Sequence, residues 1–151
     1  MTYAQLQQDI ADFLNRQDLT ASIPVFIRLT ESRMNRNIRS RDMEYRVTAQ
    51  IDRQFSTLPT DFLEMRNIQV NTNPVTALQY VTPQEADRIR SSNLQGGQQF
   101  FSIVGNRLEL IPVPAETIVV EMVYYSRIPS LSDVSPSNWL LERHYDLYLY
   151  G

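Results

Sequence analysis

The chain contains no cysteine and no lysine, and only one histidine. Without cysteine there can be no disulfide, no thiolate metal site and no cysteine nucleophile. One histidine without cysteine excludes a typical zinc site. A Ser-His-Asp hydrolase would need His144 as its base. Asp146, two residues further along the same predicted helix, points elsewhere, and there is no G-x-S-x-G elbow. No D-x-D-x-D-G calcium loop is present, and Gly96-Gly97 opens no phosphate-binding loop. Asp52, Asp61, Glu64 and Glu109 fall in a predicted β region. A carboxylate-only magnesium nuclease would require them to converge in space. The expectation is a protein without catalysis, cofactor or metal. No apolar run could span a membrane, and the N-terminus lacks a signal-peptide pattern, so an intracellular origin and no membrane partner are expected.

All fourteen basic residues are arginine, set against seventeen acids, for a net charge of -3. A protein that grips a phosphate backbone usually carries a basic excess. Here any contact with DNA must come from a local patch, or from surrounding DNA without holding it. Arginine also suits protein interfaces, because its planar fork meets carboxylates as well as phosphates.

The 151 residues fit one domain with a proper core. Thr2 to Gln5 forms a capping box, and Tyr3, Leu6, Ile10, Phe13 and Leu14 follow at helical spacing, predicting a helix over residues 3–16. Ser22 and Pro24 predict a second helix start. On that helix Phe26, Ile27, Thr30, Met34 and Ile38 share one flank. Arg28, Asn35, Arg36 and Arg39 lie opposite, with Arg33 at the edge. The stretch ESRMNRNIRSRDMEYR thus sorts its arginines onto an outer face. They either hold nucleic acid, hold another protein, or keep the helix solvated.

From residue 45 to 57 the pattern switches to period two. Odd positions carry Tyr, Val, Ala, Ile, Arg, Phe and Thr, while the even ones are polar, as in a half-buried strand. Turns at 58–61 and 71–74 separate two further strands, over 62–70 and 75–81. Thr82-Pro83-Gln84-Glu85 opens a short helix to about residue 91. Residues 93–99 read as a loop, and 100–111 as a hairpin turning at Gly105-Asn106. Residues 118–125 are apolar on both faces, as in a central strand. After a loop over 126–135 comes a last helix, WLLERHYDLYLYG, whose apolar residues cover most of its circumference. Such a helix is buried against several elements or belongs to an interface. Its tyrosines, with the arginines, could instead stack single-stranded nucleic acid.

The element order predicts an α+β fold. An antiparallel β unit, a sheet or small sandwich over residues 44–130, carries the short helix at 83–91. The helical part, 1–43 plus 137–151, packs together at one side. The candidate interface residues are Arg33, Arg36, Arg39, Arg41, Trp139, Leu140, Tyr145 and Tyr148.

Taken in order, TYAQLQQDIADFLNRQDL, IPVFIRLTESRMNRNIRSRDME, LPTDFLEMRNIQV, VGNRLELIPVP and NWLLERHYDLYLYG resemble the adaptor proteins of tailed bacteriophages over nearly the whole chain. These are head-to-tail connectors, similar in role to tail tubular protein A of short-tailed phages. The resemblance implies a virion structural protein without catalysis, assembled in the host cytoplasm and placed at the head-tail junction. It implies a homo-oligomeric ring, typically twelve-fold, beneath the portal protein. Tail or nozzle proteins attach below, and the genome passes through the bore without tight binding. Family members continue with helical sequence beyond the tyrosine-rich helix, so a chain ending at Gly151 is expected to be truncated. A nucleic-acid-binding module built on the Arg33 to Arg46 cluster, and a tail-completion or stopper protein, are the alternatives.

Overall fold

The computed structural model describes residues 1–93 and 96–151. They divide into two compact units. One brings the two ends of the chain together, Met1–Ser40 with Arg127–Gly151, and is helical. The other, Arg41–Ser126, holds the sheets. The fold is α+β.

In the helical unit, α1 (Tyr3–Leu14) starts at the expected capping box. Gln5 N–H donates to Thr2 Oγ1 at 3.3 Å and Thr2 N–H to Gln5 Oε1 at 2.8 Å. The helix stops two residues earlier than predicted, because Asn15 takes a left-handed conformation at the C-cap. Tyr3, Leu6 and Ile10 are buried, but Phe13 and Leu14 are exposed. The second helix, α2 (Ile23–Asn37), has Pro24 in its first turn as expected. Ser22 does not cap it, because its own backbone is already helical. The buried face of α2 is Ile23, Ile27, Thr30, Glu31 and Met34. It is rotated away from Phe26, which stays exposed, and towards Glu31. Residues 127–131 belong with the helices. Ile128 and Leu131 are buried, and Ile128 N–H donates to Asn35 Oδ1 on α2 at 2.9 Å.

In the second unit a single 3-10 turn (Arg41–Met43) leads into β1 (Glu44–Ile51). The expected long first strand divides here, since β2 (Phe55–Thr57) lies in the other sheet. Alternation would place Arg53 in the inward row, and a charge there would go unpaired. Instead the chain bends at residues 52–54, and Arg53 faces solvent beside Asp52 at 3.3 Å. Then follow β3 (Phe62–Val70), β4 (Thr76–Ala77) and β5 (Gln79–Tyr80). The expected strand over 75–81 is split between the two sheets, with Leu78 buried at the crossing. Helix α3 (Pro83–Ser91) starts with Glu85 N–H donating to Thr82 Oγ1 at 3.2 Å. Of the expected loop over 93–99, Leu94 and Gln95 lie outside the described residues. The hairpin of β6 (Phe100–Val104) and β7 (Arg107–Ile111) turns as predicted, with Gly105 at φ 61°. The last strand, β8 (Ile118–Ser126), is central in its sheet.

The sheets have orders β1-β8-β3-β4 and β2-β7-β6-β5. All pairings are antiparallel except the two-residue β5–β6 pair, which is parallel. Ile51, Ile68, Val70, Val120 and Met122 of the first sheet share one core with Phe101, Leu108 and Leu110 of the second.

Candidate functional site

The final helix is broken. After α4 (Trp139–Arg143), His144 leaves helical geometry at φ −136°, ψ 54°, and α5 (Tyr145–Tyr150) begins. No proline or glycine stands at the break. The cause is a set of tertiary partners centred on Glu31, which is 3% exposed. Glu31 Oε1 accepts Leu131 N–H at 2.8 Å and Tyr148 OH at 3.2 Å. Asn138 Nδ2 donates to Tyr148 Oη at 2.9 Å and to Pro129 O at 2.6 Å. Asn138 Oδ1 accepts Leu141 N–H at 2.8 Å, which caps α4. On the same turn as Tyr148, Tyr145 OH donates to Asp9 of α1 at 3.0 Å. The break aims both tyrosines at these acceptors. Burial raises the Glu31 carboxyl above the ordinary glutamate value, while the bonds from Leu131 and Tyr148 pull against it. Burial also raises the Tyr148 phenol.

The candidate interface residues therefore occupy different environments. Leu140 and Tyr148 are buried within the chain itself. Trp139 and Tyr145 are half-buried. The arginine run is divided between the two units, with Arg33, Arg36 and Arg39 in one and Arg41 and Arg46 in the other. Arg36 donates to Ser32 Oγ at 3.0 Å. Arg39, beyond the helix end, donates to Asn35 O and Ile38 O, both at 2.7 Å, and so caps α2. Arg41 is exposed in the 3-10 turn. Arg46 pairs with Glu121 on β8 at 2.7 Å. Glu31, which precedes the run in sequence, faces the interior and offers no charge to these arginines.

Arg33 stands at the edge of an apolar groove of 460 Å³ in the helical unit, lined by Phe13, Leu14, Phe26, Leu29 and Tyr150 among others. The periodicity of α1 and α2 marks these side chains as apolar but assigns several of them to the core. Their exposure is decided by how the helices lean on one another. Phe13 and Tyr150 meet edge to face with centroids 5.4 Å apart.

The acids of the β unit do not converge. Asp61 accepts Tyr124 OH at 2.9 Å, and burial together with that carboxylate pushes the phenol up to about 12. Glu109 is buried, with Arg90 Nε 3.1 Å away as an ion pair. Among the described residues no group of three or more histidine, aspartate or glutamate side chains could hold a metal ion. No helix among them is long and apolar enough to cross a membrane.

The helical unit thus holds a buried polar cluster around Glu31 and, separately, an apolar groove with Arg33 in its lining. A family model described as the SU10 adaptor protein matches residues 1–151. The chain belongs to the SU10 adaptor protein family. No curated protein matches it. Membership of this adaptor family assigns a bacteriophage structural role, as a virion component that assembles with other virion proteins.

Proposed function

We propose that this adaptor forms a ring at the head-tail junction, joins the portal protein to a tail or nozzle protein, and contributes part of the DNA conduit. The match to the adaptor family over residues 1–151 carries this reading. The ring is a homo-oligomer of twelve copies, built in the host cytoplasm, and its role is structural without catalysis or cofactor. Two physical features support it. First, a net charge of -3 with no lysine avoids the counterion-release binding that would hold a genome in place, so DNA can slide through the bore. Second, the charges that could bind DNA are dispersed. Arg46 is paired with Glu121, while Arg36 and Arg39 bond within their own helical segment. Arg33, Arg36, Arg39 and Arg41 then face carboxylates of the adjacent subunit or the portal. Trp139 and Tyr145, half-buried in the free chain, complete their burial at such a contact.

Electron microscopy of the purified protein, alone and mixed with its portal, tests this reading. Closed rings seated on the portal are expected. A protein that never associates with the portal, yet binds duplex DNA tightly at near-physiological salt, would make the nucleic-acid reading correct instead.

A further inference from the structure

Between the last strand and the last helices the chain makes a tight turn. Ser132 N–H donates to Ser135 O at 2.9 Å, and Ser135 N–H donates back to Ser132 Oγ at 3.0 Å. Asp133 and Val134 are at its tip. Val134 is 94% exposed, more than any other large apolar side chain described. The turn is held at both ends. Leu131 N–H is fixed on buried Glu31 at 2.8 Å, and Pro136 O accepts Tyr3 N–H of α1 at 2.6 Å. It is a knob, tied down at both ends, that presents a valine beside a carboxylate. Among the described residues, no cation pairs with Asp133.

The groove at Phe13, Phe26 and Leu29 is its chemical complement. Leu29 is 62% and Phe13 59% exposed, and the groove of 460 Å³ takes a turn tip rather than one side chain. Its charged rim residue is Arg33, and among the described residues no carboxylate pairs with Arg33. The knob sits at the N-terminal end of α1, at Tyr3, while the groove is lined by its C-terminal residues. At 1.5 Å per residue, Tyr3 and Phe13 are about 15 Å apart along the helix. A turn pinned at both ends cannot reach its own groove.

We infer that the Asp133-Val134 turn of one copy docks in the Phe13/Phe26/Leu29 groove of the next, with Asp133 on Arg33. This rests on the ring reading and specifies the contact that makes the ring. Knob and groove are different patches at opposite ends of α1, so the contact is head-to-tail. Repetition of such a contact closes a ring when the rotation allows it. The tip alone covers less than the roughly 1,200–2,000 Å² of a stable interface, so it acts as an anchor within a larger contact.

The absence of native cysteine makes a direct test possible. Val134→Cys with Leu29→Cys, oxidised after assembly, should give a covalent ladder running past the dimer. Each single variant should stop at the dimer. Arg33→Asp and Asp133→Arg should each weaken self-association about tenfold, with recovery in the double swap. All these sites are exposed, and unchanged circular dichroism would confirm folded variants. Rings seen by microscopy that yield no ladder, and that form equally well with Arg33→Asp, would overturn the pairing while leaving the ring intact. A disulfide confined within single chains would overturn it too. Failure of the wild-type protein to assemble, alone or on the portal, would overturn both.

Discussion

At the scale of single residues, Glu31 has the most consequential environment. Its carboxylate is desolvated, and it satisfies both Leu131 N–H and Tyr148 OH. Glu31→Ala would leave both donors unpaired in the interior, and is expected to destabilise the protein by roughly 2–4 kcal/mol in urea denaturation. Its protonation adds a pH dependence. The folded carboxyl is raised above its unfolded value, so the folded state binds the proton more readily. Glu31 therefore contributes most on the acid side. That contribution declines as pH rises from the ordinary glutamate value through the raised folded one. Glu31→Gln keeps an acceptor oxygen and loses the titration, so its stability relative to wild type should increase across that window. A wild-type profile with the opposite slope, unaffected by Glu31→Gln, would refute the assignment. In the sequence Glu31 is only the acid that precedes the arginine run. Helical periodicity gives its angle on α2 but not which neighbour covers that angle.

At the scale of elements, α4 and α3 show what burial and pairing contribute. Leu140 and Leu141 are fully buried, and Leu141→Ala should cost roughly 2–5 kcal/mol in thermal or chemical unfolding. Trp139 is only half-buried, so Trp139→Ala should cost the free chain less than Leu141→Ala does. A larger loss for Trp139 in unassembled protein would show that its burial is intramolecular. In the β unit, Glu109 on β7 is buried against Arg90 of α3. Arg90→Ala leaves that buried charge with only the long 3.4 Å bond from Gln54 Nε2 and should destabilise the fold by roughly 3–5 kcal/mol. Replacing Arg90 and Glu109 together with apolar residues should recover much of the loss. An additive double mutant would mean the pair is not coupled.

At the scale of the whole molecule, the proposed ring sets the expectations. Arg36→Glu with Arg39→Glu should weaken sedimentation with the portal while the monomer stays folded. Arg39→Glu also removes a favourable cation from the end of α2, a loss of about 0.3–1 kcal/mol that thermal unfolding would detect. Portal association unchanged in this variant would remove those arginines from the interface. Incubation with DNA and magnesium or manganese should give no cleavage. Cleavage abolished by a single carboxylate substitution would overturn the structural role.

The sequence by itself determined the element types, because their signals are local. The capping box at Thr2, the prolines at the starts of α2 and α3, the glycine turn at 105 and the apolar run of β8 all act over a few residues. It also determined the family, through ordered similarity along the whole chain. Tertiary structure decided what depends on partners distant in sequence. The alternating run over 45–57 contributes to two sheets, because Arg53 cannot follow the inward row. The last helix breaks at His144 because Tyr145 and Tyr148 reach Asp9 and Glu31, more than a hundred residues earlier. Phe13 and Leu29, apolar and helical, line an open groove because the neighbouring helices leave their side uncovered. Periodicity states which residues share a face; only packing states whether that face meets the core, solvent or another chain.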